Sequence, residues 1–107
     1  MATFRSLAVT NTSTNIKTSG ADVMSINIVN RHSAVIYVKF YDQTVATFQD
    51  TPFKTISVAA SGGNYSDLYS AVKISTTRGL CIRVTTGATD SDNTAAATLP
   101  IIELEYN

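Results

Sequence analysis

His32 and Cys81 are the one histidine and the one cysteine of this chain. Any general base, thiol nucleophile or soft metal site must therefore rest on them or on carboxylates. His32 follows Asn30-Arg31 in a run of turn-forming residues, with no spacing that ties it to a particular Ser or Asp, and reads as a turn histidine. Cys81 alternates with core positions of an apolar run. Arg83 shares its face two residues on, but a packed thiol is the simpler reading than an activated one. Asp90-Ser91-Asp92-Asn93 opens like a calcium loop. Counting from Asp90, however, Ala95 and Ile101 stand where that loop needs Gly and Glu, so a solvated loop is expected. Glu103 and Glu105 share a strand face at about 6.6 Å, and read as surface charge or as an ionic contact with a partner. Ser61-Gly62-Gly63-Asn64 has neither the Lys-Ser/Thr nor the following helix of a phosphate loop. No catalytic constellation, metal site or cofactor is expected from these residues.

Strands must position what remains. Nine Val, nine Ile and sixteen Thr make 34 of 107 residues β-branched, a composition that packs well on a pleated surface. The strongest strand is Ala34 to Tyr41, with Ala34, Ile36, Val38 and Phe40 on one face. The opposite face carries Val35, Tyr37, Lys39 and Tyr41, too apolar for open water and too polar for a core. It is expected to lie under a loop or against another subunit. Further strands are read at Phe4 to Val9, at 24–29 with Met24, Ile26 and Ile28 inward, and at Phe53 to Val58. Leu80 to Thr85 and Leu99 to Tyr106 complete the clear set. Tyr65 to Ile74 is ambiguous, because Tyr65, Leu68, Tyr69 and Val72 sit at helical spacing. Long polar loops near 10–22 and 85–98 separate the strands. The pattern predicts an all-β single domain over 1–107, an antiparallel β-sandwich of jelly-roll or Greek-key type with about seven or eight strands.

Eight basic and eight acidic residues give a net charge of zero, with only 15% of residues charged. No broad positive field exists for a phosphate backbone, so no nucleic-acid partner is expected, although Tyr37, Lys39 and Tyr41 share a face as stacking strips do. No apolar run reaches the roughly 18 residues of a membrane span, and no membrane association is expected.

The order of segments also carries a resemblance. Ala34-Val35-Ile36-Tyr37-Val38-Lys39-Phe40-Tyr41-Asp42 is followed by Asp50-Thr51-Pro52 and then by Ser61-Gly62-Gly63. Farther on, Gly79-Leu80-Cys81-Ile82-Arg83-Val84-Thr85-Thr86-Gly87-Ala88-Thr89-Asp90-Ser91-Asp92 completes the set. These motifs, over roughly residues 24–106, resemble small proteins encoded by tailed bacteriophages and prophages. Their pattern is a YVKLY strand, a DTP turn, an Ala-Gly-Gly turn and a GL-I-VT-GA-D-D strand and loop. The chain departs from that pattern at 43–49, which reads QTVATFQ where a loop with Pro and Gly is usual.

The resemblance implies a virion structural component, foremost a capsid decoration or cement protein, assembled in the bacterial cytoplasm. Its partner would be the major capsid protein, and its own state a homo-oligomer, commonly a trimer. The contact residues expected on this reading are Tyr37, Lys39 and Tyr41 with Phe48, Asp90 and Asp92. Residues 1–22 are expected as an ordered strand or as an arm contacting partners. The alternative is a tail, neck or baseplate component that binds host glycan through exposed Tyr and the Asp/Asn-rich loop.

Overall fold

Alternating β-branched residues that each bury one face must meet a second such layer, and two sheets do so here. A computed structural model describes residues 1–67 and 74–107. Nine strands are present among them: β1 Ala2–Ser6, β2 Thr14–Lys17, β3 Asp22–Val29, β4 Ile36–Tyr41, β5 Lys54–Val58, β6 Asn64–Asp67, β7 Ile74–Ser75, β8 Leu80–Thr85 and β9 Ile101–Tyr106. The described residues contain no helix. One sheet runs β1-β9-β3-β6, with β7 also on β3, and the other runs β2-β8-β4-β5. Every pairing is antiparallel. The all-β sandwich expected from composition is what forms.

The pairings are nested in the chain. β1 meets β9, β2 meets β8, β3 meets β6 and β7, and β4 meets β5. Among the described strands, successive pairings outward from the β4–β5 connection thus alternate between the two sheets. Val23, Ile26, Ile28, Ile102 and Leu104 of the first sheet face Ile36, Val38, Phe40, Ile82 and Val84 of the second in one buried cluster. Phe40 and Ile82 are direct neighbours, as are Val38 and Val84, so the β4 and β8 side chains form continuous ridges on the inner face.

Three expectations are corrected. The chain makes nine short strands among its described residues rather than seven or eight. One of the added strands, β2, lies inside the stretch expected as loop. Its sole large apolar residue, Ile16, packs partly buried against the core, and its strand form is imposed by pairing with β8. The phase of β3 also differs, because two of its residues oppose one of β9 between Val23 and Ser25. That bulge puts Val23 in the core beside Ile26 and leaves Met24 half-buried. Within the ambiguous 65–74 region, Tyr65 lies on β6 and Ile74 on β7, whereas Leu68, Tyr69 and Val72 lie outside the described residues.

Turn chemistry secures the ends of the sheets. Ser61 (φ 56°) and Gly62 (φ 91°) adopt left-handed backbone in the β5–β6 turn, a conformation Gly reaches without steric cost. Asn30, fully buried, donates its amide to the carbonyls of Ala34 (2.9 Å), Val58 (3.1 Å) and Ala59 (3.0 Å). It also accepts from the His32 N–H at 2.8 Å, so one side chain holds the β3–β4 and β5–β6 connections together. The Asp42 carboxylate binds the 77–79 turn through the N–H groups of Thr77 (3.2 Å), Arg78 (2.8 Å) and Gly79 (3.4 Å).

Candidate functional site

The polar outer face of the second sheet is where the sequence concentrated its candidates. Alternation puts Tyr37, Lys39 and Tyr41 of β4 on the side away from the core. Antiparallel register sets Thr85, Arg83 and Cys81 of β8 directly beside them. Two cations thus sit opposite one another, Lys39 against Arg83, and both have 0% exposure.

Loop backbone closes over them. Lys39 Nζ donates to the Thr89 carbonyl at 2.6 Å and to that of Asp92 at 3.4 Å. Arg83 donates from Nε to the Asn11 carbonyl (2.7 Å) and from Nη1 to the Tyr41 hydroxyl (2.9 Å). Its Nη2 reaches the Asp92 carbonyl (3.2 Å) and Asn93 Oδ1 (2.7 Å). Among the described residues neither cation is ion-paired with a carboxylate. Their charge is met by carbonyl and hydroxyl dipoles instead, which keeps the buried donors satisfied. Burial lowers the Lys39 pKa, and the neighbouring Arg83 lowers it further. Burial likewise raises that of Tyr41, against the opposing hydrogen bond from Arg83.

The 86–98 loop is ordered from within by Asp92. Its carboxylate accepts from the Gly87 N–H (3.0 Å), the Thr94 N–H (3.1 Å) and the Thr94 hydroxyl (3.1 Å). Gly87 leaves room for it, since a Cβ there would run into that carboxylate and displace it. Burial alone would raise the Asp92 pKa, but the Thr94 and Gly87 hydrogen bonds, helped by Lys39, hold it below the usual carboxylate value. The loop expected as solvated is exposed along most of its length, Asp90 included, yet it folds as a cover, with Asp92 half-buried and Ala96 buried.

These positions revise the expected contact set. Lys39 and Tyr41 are sealed by the chain's own loops and present no surface to a partner. The loop explanation for the mixed face of β4 is the one observed. Tyr37 remains half-buried, while Phe48 is exposed at 43%. Beside β4, the outward positions of β5 stay uncovered: Thr55 and Ser57 are exposed, and Phe53 before them is 46% exposed.

A groove of about 360 Å³ opens at the edge of the covered face. The β1–β2 connection supplies Asn11 and Ser13, the β4–β5 connection Val45 and Phe48, and the cover loop Asn93, with Arg83 behind them. No periodic pattern in the chain marks this groove. Asn11 and Asn93 are 82 positions apart and meet only because Arg83 draws both loops onto β8.

No protein-family model, curated protein or solved structure matches this chain.

The remaining candidates have structural places. His32 holds its turn, its carbonyl accepting from Ser61 N–H (2.9 Å) and its Nδ1 from Thr98 N–H (3.4 Å). Glu103 and Glu105 lie outward on β9. Glu103 is 3.9 Å from Arg5, and Glu105 accepts from the Thr3 hydroxyl at 3.2 Å. No group of three or more His, Cys, Asp or Glu is gathered for a metal among the described residues.

Cys81 is fully buried with Tyr41 and Ala46, and burial, followed by the Asp50 charge, pushes its thiol up to about 11. The thiolate is therefore scarce at neutral pH. Native protein at pH 8 is expected to resist alkylation by iodoacetamide, with quantitative labelling appearing only in denaturant. Rapid labelling of the native state would contradict this placement. Because the folded pKa is raised, the thiol's contribution to stability is complete below the unfolded value near 9 and is lost as pH rises through about 11.

Proposed function

We propose that this protein is a bacteriophage virion structural component, a decoration protein that binds the assembled capsid and stabilises it. The observation that carries the proposal is the nested strand pairing, split as β1-β9-β3-β6 against β2-β8-β4-β5. That order supports a jelly-roll reading of the sandwich, an architecture used by viral capsid proteins and lectins. Topology alone does not select a function. The motif resemblance over residues 24–106 supplies the choice among its users.

A decoration protein acts by mass action, since binding only the assembled shell raises the free energy needed to take that shell apart. It needs a surface that docks without ordering many long side chains. The uncovered strip of β5 meets that need: Thr55 and Ser57 are short, and Phe53 and Tyr37 flank them with aromatic area. Asp90 and Phe48 lie on neighbouring exposed loops. A homo-oligomer, a trimer by the resemblance, would sit where capsomers meet.

Quantitative mass spectrometry of purified virions, against the major capsid protein, tests this. Near-stoichiometric copy number with the shell is expected. A few copies per particle would transfer the protein to the tail, neck or baseplate, and absence from the virion would overturn the structural role.

A further inference from the structure

We propose that the groove between the β1–β2, β4–β5 and 86–98 loops binds a neutral pyranose, the terminal sugar of a glycan. The inference goes beyond the virion role and does not depend on it.

The argument begins at Arg83. A guanidinium only donates, so its 2.7 Å contact fixes Asn93 with Oδ1 inward and the Nδ2 amide turned the other way. Asn11 is fixed as well, because its Nδ2 donates to the Asn93 carbonyl at 2.9 Å and to Asn93 Oδ1 at 3.4 Å. What remains is a donor, Asn93 Nδ2, beside an acceptor, Asn11 Oδ1, neither with a partner among the described residues. The Ser13 hydroxyl is equally without one. Neighbouring donor and acceptor amides complement a pair of vicinal hydroxyls, each of which both gives and takes a hydrogen bond. The buried guanidinium holds them in place before any ligand arrives, and such preorganisation reduces the entropy lost on binding.

The opposite wall is apolar. Phe48 and Val45 line the groove with 43% and 68% of their surfaces exposed. The C–H face of a pyranose packs on such a wall, its slightly positive hydrogens against the negative face of the ring. Size and charge point the same way. About 360 Å³ lies near the lower end of small-ligand sites, whereas a protein partner covers roughly 800 Å² per side. No exposed charged side chain lines the groove, so a neutral ligand fits better than an acidic or phosphorylated one.

The labelled full-length chain is to be screened on an array of neutral glycans. The ¹⁵N-labelled chain is then titrated with the methyl pyranosides of glucose, galactose and mannose while amide shifts are followed. The expected result is a hit on the array, with shifts confined to residues 11–13, 45–48 and 93. Phe48→Ala removes the apolar wall, and Asn93→Asp removes the Nδ2 donor while keeping an acceptor for Arg83. Each is expected to weaken binding by at least about tenfold while the protein stays folded. A blank array with no shifts at tens of millimolar glycoside overturns the proposal. So do shifts that map elsewhere, or full affinity in either folded variant.

Discussion

Replacing Asn30 with alanine is expected to lower stability by about 3 kcal/mol. The change removes the donor for three carbonyls and the acceptor for the His32 N–H. Ala34 and Ala59 are exposed residues whose carbonyls can recruit water, so the loss is dominated by Val58, which is only 2% exposed. In a domain stable by about 5–15 kcal/mol, this is a large fraction, equivalent to a melting temperature lower by roughly 15 °C. Asn30→Asp is the sharper variant because it keeps the shape and changes the chemistry. An ionised carboxylate there faces three carbonyl oxygens with no proton to give them, so the folded state favours the neutral acid. Its folded pKa is therefore raised above the unfolded value near 3.9. The variant's stability is best below that value and declines as pH rises through the folded pKa. Melting curves of parent and variants from pH 3 to pH 8 check this. A pH-independent offset for Asn30→Asp, or parental melting of both variants, would refute the role given to this side chain.

Arg83→Met is expected to cost about 2 kcal/mol globally while loosening the 86–98 loop at Asp92 and Asn93. Two effects oppose one another. Four charge-assisted hydrogen bonds disappear, each worth more than a neutral one. Against this, the variant no longer buries a guanidinium opposite Lys39, and removal of a buried charge offsets much of such a loss. Locally, Asn11 and Asn93 lose their tie to β8, and of the buried cations only Lys39 still holds the loop, at Thr89 and Asp92. Native-state hydrogen exchange separates the two scales. The Thr86 amide, bonded to the Thr94 carbonyl at 3.0 Å, and the Gly87 amide, bonded to Asp92, are expected to lose protection. Core amides of β4 and β9 should fall only by the global change. Unaltered protection at Thr86 and Gly87 would mean that the cover stands without Arg83.

The sequence was most readable where side-chain identity alone decides structure. In β4, β8 and β9 the period-two runs of Ile, Val, Phe and Leu have one reading, and Ile36, Val38, Phe40, Ile82, Val84, Ile102 and Leu104 are all buried. Legibility failed where pairing decides. β2 carries Thr14, Asn15 and Lys17 around a lone Ile16, and becomes a strand through the register of its neighbour. Val23 and Met24 exchange places because of one bulge, which no periodicity announces. At the candidate site the shared face of Tyr37, Lys39 and Tyr41 was legible, and so was its unsuitability for open water. What covers it was not. The partners of Lys39 and Arg83 are mostly backbone carbonyls, and every residue has one, so the sequence does not mark which will serve. One cation on each of two strands whose other faces are core, with a long loop rich in Asp and Asn after the second, is the signal that could have pointed to a folded cover.

The nested pairings also set an order of assembly in time. The β4–β5 rung closes a loop of about a dozen residues, whereas β1 reaches β9 only by joining Ala2 to Tyr106 across nearly the whole chain. Closing entropy rises with the length enclosed, so rungs near the β4–β5 connection form cheaply and each one shortens the effective loop left for the next. Chains dominated by such distant contacts fold in roughly milliseconds to seconds, rather than microseconds. Until the two outer rungs zip, β9 and β3 present unpaired edges and β8 lacks β2. The protein is then most open to pairing with other copies of itself, in the last steps before the two sheets are complete.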